Sequence, residues 1–231
     1  MINKHQTKSG KIGPIKAVIF DFDGLIIDTE WPAFAAWSAI YREFGAELKL
    51  ENWVACVGSS QSDFDPVTHL GELTGRAFHA SERSRLFSDK EARKAKECDQ
   101  LQLLPGVLAR ITEARELGLK VGMASSSAAD WVLGHLRRLE LTKMFDVVRT
   151  KDDVTRVKPH PDVYLAALAG LATDPSECLA FEDSRNGVLA ARAAGIRCFA
   201  VPNAVTRGLD FSVADGVFNS LVDVSLQDYL G

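Results

Sequence analysis

The chain has 231 residues, of which 46% are hydrophobic and 25% are charged, and its formal net charge is -4. This composition is ordinary for a globular protein with its own apolar core. The small negative charge gives no reason to expect nucleic acid or an anionic membrane as a partner. No apolar run approaches the roughly 20 residues of a membrane helix, so a membrane partner is not expected either.

The N-terminal end and the cysteines indicate a cytoplasmic protein. Residues 1–15 are polar and basic without the apolar stretch of a signal peptide, and we expect them to form a flexible tail. The four cysteines lie far apart and contain no C-x-x-C pair. We therefore expect reduced, mostly buried thiols in a cytoplasmic protein, with a monomer as the simplest assembly.

Short apolar runs recur along the chain and predict the strands of a parallel sheet. Each run is too uniformly apolar for a half-exposed strand, in which apolar and polar residues would alternate. Strands buried on both faces explain the pattern. The runs are Ala17–Phe20, Lys120–Ala124, Asp146–Val148, Cys178–Phe181, Arg197–Val201 and Gly216–Phe218.

Helical patterns follow several of these runs. Alternation of strand and helix is typical of right-handed βαβ units, and it predicts an α/β fold with a doubly wound, Rossmann-like parallel sheet. Gly118, Gly170 and Gly195 are the expected stop signals of three helices. The patterns cover Val107–Leu117, Trp131–Leu141, Val163–Leu171 and Val188–Ala194.

Residues 31–103 interrupt the alternation. They contain helical stretches at Ala33–Phe44 and His79–Cys98 but no convincing buried strand, and Leu104-Pro105-Gly106 ends the last helix. We therefore predict an inserted α-helical cap over residues 31–103. The catalytic core is then formed by residues 16–30 and 104–231.

The strongest local signal is Phe20-Asp21-Phe22-Asp23-Gly24, directly after the first predicted strand. In open α/β sheets, ligands bind beyond the carboxyl ends of the strands. A spacing of two lets both carboxylates face one locus in an extended chain, and glycine permits the sharp exit. Taken alone, the motif is equally typical of a polar turn.

Other polar residues follow later strands. Ser125 and Ser126 precede a helix, where hydroxyls and amides can hold a phosphate oxygen, although N-capping by serine is the simpler interpretation. Lys158 lies between a loop and a proline, and most lysines are solvated surface charges. Glu182 and Asp183 follow the Cys178–Phe181 run, where Asp183 could cap the next helix or both could bind a metal.

Considered together, these residues predict a metal site. Asp21, Asp23, Glu182 and Asp183 would converge at one edge of the sheet, where four close carboxylates repel one another unless a cation intervenes. Mg²⁺ characteristically binds a few carboxylates together with water and substrate phosphate. A metal ion, anchored amides and a lysine are also what phosphoryl transfer requires.

The order D-F-D-G, S-S-S, K-P, E-D resembles the haloacid dehalogenase superfamily, and in detail its β-phosphoglucomutase-like phosphatases, from about Lys16 onward. The resemblance implies a Mg²⁺-dependent phosphatase that hydrolyses a small phosphate ester, with a sugar phosphate as the default. An aspartate at the second position argues against true dehalogenation.

The resemblance also implies a role for each residue of the motifs. Asp21 would attack phosphorus to form an aspartyl-phosphate, and Asp23 would protonate the leaving alcohol and later deprotonate water. The phosphate-binding residues would be Ser125, Ser126 through its amide, and Lys158. The Mg²⁺ sphere would contain Asp21, the backbone carbonyl of Asp23, Glu182 and Asp183, some of it through water.

Two further expectations follow from this chemistry. Asp23 must be protonated in the first step, so its pKa should be raised, and the cap should close over the site to exclude water.

Trp31, Trp53 and the loop Gly58–Gln61 are candidate substrate contacts in the cap. Core packing is the alternative for the two tryptophans, and we favour it for at least one.

Two other functions are disfavoured. A sugar-phosphate mutase of this type needs a cap arginine, a histidine after the first motif and a Lys-Asn pair after the serines, whereas this chain has Gln61, Ala33 and Ala128-Ala129 there. A non-catalytic binding protein on the same fold would have no reason to keep four acids and Lys158.

Overall fold

A computed structural model describes residues 14–54 and 64–230. In these residues a parallel sheet of six strands has the order β3-β2-β1-β4-β5-β6. The central strand β1 lies between β2 and β4, so the chain winds outward in both directions from it. The strands are β1 (Ala17–Phe20), β2 (Lys120–Ala124), β3 (Val147–Arg149), β4 (Cys178–Glu182), β5 (Arg197–Ala200) and β6 (Gly216–Val217).

The predicted α/β doubly wound fold is confirmed, and each predicted strand lies within one residue of its place. Strand β1 is buried on both faces, as its uniformly apolar run predicts. Val18 and Phe20 join one apolar cluster, while Ala17 and Ile19 join another on the opposite face. The two-residue period of a strand therefore distributes β1 between two cores.

Helices cover both faces of the sheet. Helices α5 and α6 pack in the cluster of Phe20, while α7 and α8 pack in the cluster of Ile19. Gly118 and Gly195 follow α5 and α8 in the left-handed conformation, but Gly170 lies inside α7, which ends only at Leu171. The helices are α1 (Glu30–Glu43), α2 (Leu50–Val54), α3 (Pro66–Thr74), α4 (Ala80–Cys98), α5 (Val107–Glu116), α6 (Ala129–Arg138), α7 (Asp162–Leu171) and α8 (Arg185–Ala193).

The described part of residues 31–103 is helical and contains no strand. Helices α1 and α4 were predicted, whereas the short helices α2 and α3 were not. This segment has its own apolar cluster, which includes Trp37, Tyr41 and Leu70. Trp53 belongs to that cluster and is only 7% exposed, so core packing explains it, but Trp31 is 48% exposed. The predicted loop Gly58–Gln61 lies outside the described residues.

The N-terminal boundary of the core differs from the prediction by at least one residue. Ile15, which was assigned to the flexible tail, is 3% exposed and packs in the same apolar cluster as Val18 and Phe20 of β1. Cys98, Cys178 and Cys198 are free and buried, as predicted, and Cys56 lies outside the described residues. Within those residues, no helix combines the length and apolar character needed to cross a membrane.

Candidate active site

The predicted site residues meet at the carboxyl end of the central strand. Phe20, the last residue of β1, is in register with Met123 of β2 and Phe181 of β4. The next residue along each chain segment is therefore at one edge of the sheet: Asp21, Ala124 and Glu182. Ser125 and Asp183 follow directly, and the loop before α7 brings Lys158 to the same place.

Lys158 is a buried cation, because its side chain is only 3% exposed. Its ammonium nitrogen lies 2.5 Å from Asp21 Oδ1, 2.6 Å from Glu182 Oε1 and 2.8 Å from the Ala124 carbonyl oxygen. Burial lowers the pKa of Lys158, but the two carboxylates outweigh burial and raise it above its usual value. The interpretation of Lys158 as a solvated surface charge is therefore wrong.

Three buried carboxylates form the acidic cluster. One oxygen from each of Asp21, Glu182 and Asp183 lies within 4.8 Å of the others. Burial and then the charge of Glu182 raise the pKa of Asp21 to about 8, and burial and then Asp21 raise that of Asp183 well above its usual value. One ammonium group faces these three acids, so the donor set fits a hard divalent cation that would neutralise the excess charge.

Asp183 is held in place by two residues of other loops. Asn203, which follows β5, donates from Nδ2 to Asp183 Oδ2 at 2.7 Å and to the Gly24 carbonyl at 3.2 Å. Gly24 has φ +78°, and a β-carbon on it would lie 2.1 Å from Asp183 Oδ2. Asp183 does not cap helix α8, because Ser184 is the N-cap and accepts from the Gly187 amide.

Glu182 accepts hydrogen bonds from three side chains. Besides Lys158, the hydroxyl of Tyr164 donates to Oε1 at 2.7 Å, and Ser184 Oγ donates to Oε2 at 3.3 Å. Glu182 is fully buried, so each of these bonds offsets part of the cost of burying its charge. Its oxygen Oε1 orients the lysine that also contacts Asp21.

Asp23 lies in a separate environment from the acidic cluster. Its Oδ1 accepts from Thr29 Oγ1 at 2.8 Å and from Trp131 Nε1 at 3.0 Å, and its Oδ2 accepts from Ser127 Oγ at 2.6 Å. Burial raises the pKa of Asp23, but Lys94 and these three donors outweigh it and lower the pKa. The expected raised pKa of Asp23 is therefore wrong for this structure.

The expectation that four carboxylates gather at one locus is also corrected. Asp21, Glu182 and Asp183 share the cluster, while the hydrogen bonds of Asp23 turn its carboxylate toward the serine loop and α6. Two residues of spacing place both aspartates at the same sheet edge, but the chain turns at Gly24 and does not remain extended. A role for the backbone carbonyl of Asp23 at a metal is a separate matter and stays a prediction.

The serine run does not cap helix α6. The N-cap residue is Ala128, and no side chain provides a capping hydrogen bond. Ser125 is buried, and its Oγ accepts from the Ser127 amide at 3.0 Å and lies 3.4 Å from Asp23 Oδ2. Ser126 Oγ is buried and has no hydrogen-bond partner among the described residues.

Sequence reasoning missed several residues that hold the site together. Ser127 belongs to the S-S-S run of the predicted site, so the sequence did indicate that it lies near the site. Trp131 had none, because an aromatic residue at helical spacing predicts core packing. The residues missed are Thr29, Ser127, Trp131, Tyr164 and Asn203.

Two curated proteins are similar to this chain over nearly its whole length. YhcW of Bacillus subtilis (strain 168) is 43% identical over 212 residues, which cover 92% of this chain and 94% of that protein. Hexitol phosphatase B of Escherichia coli (strain K12) is 32% identical over 219 residues, which cover 94% of this chain and 97% of that protein.

A solved structure shows the same architecture over nearly the whole chain. CbbY from Rhodobacter sphaeroides in complex with phosphate superimposes with a TM-score of 0.73 at 26% identity, covering 90% of this chain and 96% of that one. The family model described as haloacid dehalogenase-like hydrolase matches residues 18–201. The predicted phosphoric monoester hydrolase is confirmed, and the chain belongs to the haloacid dehalogenase-like hydrolases.

Proposed function

We propose that the protein hydrolyses a small-molecule phosphomonoester by a Mg²⁺-dependent mechanism with an aspartyl-phosphate on Asp21. The observation that carries the proposal is the contact of Asp21 with a buried lysine inside a cluster of three buried carboxylates. A buried carboxylate held by an ammonium group is a nucleophile of fixed orientation. Because the same cluster has excess negative charge, it also provides a reason for a divalent cation.

In the first step, an oxygen of Asp21 attacks phosphorus, and the bond between phosphorus and the leaving oxygen breaks. Asp23 gives a proton to that oxygen, so the product leaves as an alcohol. Asp23 is ionised in the free site, since hydrogen bonds and Lys94 lower its pKa. The negative charge of a bound phosphate beside it raises that pKa again, so we propose that the proton is taken up with the substrate.

In the second step, water attacks phosphorus and the bond between phosphorus and Asp21 breaks, which releases inorganic phosphate. Asp23, now a carboxylate, accepts the proton of that water. Its donors Thr29, Ser127 and Trp131 stabilise the carboxylate and suit it to this second role. The same residue therefore serves as acid and then as base.

The phosphate-binding residues are proposed to be Ser125, Ser126 and Lys158. Ser125 and Ser126 lie beside Asp21 and Lys158 at the sheet edge, and Lys158 would contribute its positive charge, since its three donors already serve Asp21, Glu182 and the Ala124 carbonyl. Asp21, Asp183 and the backbone carbonyl of Asp23 would hold Mg²⁺, with Glu182 acting from a greater distance because its oxygens already accept hydrogen bonds. Bound Mg²⁺ would neutralise charge on the phosphoryl oxygens.

The substrate is proposed to be a sugar phosphate or another polyol phosphate. The name of hexitol phosphatase B supports this class, because that protein and this chain match over nearly their full lengths. Residues 31–103 are proposed to act as a cap over a core of residues 16–30 and 104–231. We also propose that the protein is cytoplasmic and monomeric.

The proposal is tested by phosphate release from 4-nitrophenyl phosphate with Mg²⁺ and after its removal with EDTA. We expect turnover only with the metal, and a loss of at least about 10³-fold in kcat for Asp21→Asn, with the fold retained. Near-native kcat in that variant would contradict the nucleophile. A mutase would instead show slow release together with bisphosphate-dependent isomerisation of a sugar phosphate.

Asp23→Asn with 4-nitrophenyl phosphate tests the second step, because the nitrophenolate of that substrate leaves without a proton from Asp23. Because this variant cannot accept the proton of water, we expect a phosphoenzyme that persists long enough for intact-mass measurement. A variant that turns over slowly without any phosphate adduct would contradict the role of Asp23 as the base.

A further inference from the structure

The loop that follows β5 enters the apolar cluster of the helical segment. Val205 in this loop is 2% exposed and belongs to the same cluster as Trp37, Tyr41 and Leu70. Every other member of that cluster in the described part of the chain lies within residues 31–103. Val205 is therefore a contact between the sheet side of the molecule and the helical segment, and burial of its side chain stabilises that contact.

The same loop reaches the acidic cluster through Asn203, two residues before Val205. Asn203 donates from Nδ2 to Asp183 Oδ2 at 2.7 Å and to the Gly24 carbonyl at 3.2 Å. Its Oδ1 accepts from the backbone amides of Val205 at 2.9 Å and Thr206 at 3.0 Å. A neutral side-chain amide has two donor hydrogens and two acceptor lone pairs, so all four are used here. One side chain thus joins a proposed Mg²⁺ ligand to the backbone of the residue that packs in the cluster.

Reciprocal hydrogen bonds hold the loop together. Thr206 is fully buried, and its Oγ1 accepts from the backbone amide of Asn203 at 3.0 Å. At the start of the loop, the amide of Val201 donates to the Glu182 carbonyl at 2.6 Å. Because the bonds between Asn203 and Thr206 close a short ring around Val205, a displacement of the Val205 side chain also displaces the Asn203 amide.

Asn203 also contacts the linker between β1 and α1. Gly24, whose carbonyl accepts from Asn203, donates its own amide to the Ile27 carbonyl at 2.8 Å. The second linker of the helical segment is tied to the first, since the Leu104 amide donates to the Ile26 carbonyl at 2.9 Å. The loop after β5 therefore touches the helical segment at two places, which are its linker and its apolar cluster.

We propose that Asn203 and Val205 couple the binding of Mg²⁺ at Asp183 to the position of the helical segment. This inference rests on the proposed function, and both are positioning residues because neither touches the reacting atoms. A metal ion held by Asp183 would fix the Asn203 amide, and the fixed loop would hold Val205 in the cluster. Coupling between two sites is reciprocal, so loosening the packing of Val205 must weaken metal binding.

Hydrogen exchange followed by mass spectrometry measures this coupling without a substrate. The exchange of the parent protein is compared in EDTA and in saturating Mg²⁺, and calorimetry gives the Mg²⁺ affinity. We expect Mg²⁺ to slow exchange in the peptide that contains Asp183, and also in α1, by about fivefold or more, the lower end of typical coupling between sites. Protection of α1 is the informative result, because α1 provides none of the proposed metal ligands.

Val205→Ala tests the packing while it keeps the backbone amide that Asn203 binds. We expect the Mg²⁺ affinity to fall about fivefold or more. At a Mg²⁺ concentration that saturates the variant, exchange should still slow near Asp183 but no longer in α1. Val67→Ala is the matched control, because Val67 of α3 is fully buried in the same cluster. The control should lose stability but keep both the affinity and the protection of α1.

Thr206→Val tests the loop without changing the packing of Val205. The new valine keeps the shape of the threonine but leaves the Asn203 amide without its acceptor. We expect the same loss of Mg²⁺ affinity and of α1 protection. Thr206→Ser keeps the hydroxyl group and should retain both. If Val205→Ala does not fold, this pair of variants decides the question.

The outcomes separate the coupling from the proposed function. Mg²⁺ that binds to the parent without slowing exchange in α1 would overturn the coupling, as would an affinity within about twofold of the parent in both Val205→Ala and Thr206→Val. An equal loss of affinity in Val67→Ala would overturn it too, because general destabilisation would then explain the effect. A parent that binds no Mg²⁺ would contradict the proposed metal-dependent function itself, and the coupling with it.

Discussion

Gly187 lies so close to Glu182 that a β-carbon on the glycine would fall 1.9 Å from the carboxyl carbon of the acid. Helix α8 begins at Arg185, so this glycine is in its first turn. The space left by the missing side chain holds the carboxylate that accepts from Lys158 and Tyr164. A residue that lowers helix propensity is therefore required by the site rather than by the helix.

Gly187→Ala should lower both stability and activity. The added methyl group must displace the Glu182 carboxylate, and overpacking of a buried position costs about 1–3 kcal/mol in the free energy of unfolding. Gly134→Ala is the matched control, because Gly134 is inside α6 with no atom within 4 Å of the β-carbon position. That change should raise stability by about 0.5–1 kcal/mol. Urea denaturation and hydrolysis of 4-nitrophenyl phosphate measure the two effects, and equal gains in both variants would contradict the role of Gly187.

Tyr164→Phe should weaken the site through Glu182. The Tyr164 hydroxyl is one of two donors to Glu182 Oε1, and its removal leaves a buried carboxylate with fewer hydrogen bonds. We expect a loss of about 1–2 kcal/mol in stability, since the Lys158 bond remains. Tyr229→Phe is the control, because the Tyr229 hydroxyl has no hydrogen bond to a described residue. A thermal shift equal in both variants would show that the Tyr164 bond contributes nothing.

The fold could be predicted because its signals are local. Strand β1 and strand β4 are buried on both faces, so their apolar runs need no partner to be recognised. Helix α3 was missed although Asp65, its N-cap, and Pro66 are a usual helix start, because the nine residues that follow are short of apolar periodicity. The meeting of Asp21, Glu182 and Asp183 could be predicted because each lies at or just after the end of a buried strand, whereas the role of Lys158 came from the resemblance.

The environment of Asp23 could not be predicted, because it is assembled from distant segments. Ser127 and Trp131 reach its carboxylate from the serine loop and helix α6, Thr29 does so from the segment after Gly24, and Lys94 adds its charge from α4. The mechanism indicates which pKa the acid needs in one step, but it does not indicate the donors that the folded chain supplies. The direction of the pKa shift is therefore a property of the tertiary structure alone.

Asn203→Ala should weaken the binding of Mg²⁺. The side-chain amide of Asn203 orients Asp183 and ties it to Gly24, and loss of such an outer partner typically costs ten- to hundredfold in metal affinity. The measurement is the Mg²⁺ dependence of kcat, together with the thermal shift that Mg²⁺ produces. Asn219→Ala, at an exposed asparagine, is the control and should keep the affinity of the parent. Unchanged affinity in Asn203→Ala would contradict Asp183 as a ligand.

The stability of the metal-free protein should fall as the pH rises from 6 to 8. Burial first, and then the charge of Glu182, raise the pKa of Asp21 to about 8 from an ordinary value of 3.8. Between these values the folded protein binds more protons than the unfolded chain, so the free energy of unfolding decreases with increasing pH. One such proton is worth about 2–3 kcal/mol over two pH units. Thermal unfolding in EDTA at both pH values measures the decrease.

Mg²⁺ should reverse this trend, because it competes with protons for the same carboxylates. The rise in Tm on adding Mg²⁺ should therefore be larger at pH 8 than at pH 6. Asp21→Asn removes one titrating group and should have a smaller pH slope in EDTA, whereas Asp228→Asn, at an exposed position, should keep the slope of the parent. The difference in slope reports on Asp21 together with Asp183, whose pKa the charge of Asp21 raises. An equal change of Tm between pH 6 and pH 8 in the parent and in Asp21→Asn would contradict this prediction. It would show that Asp21 is already ionised without a metal, because the protein itself balances its negative charge.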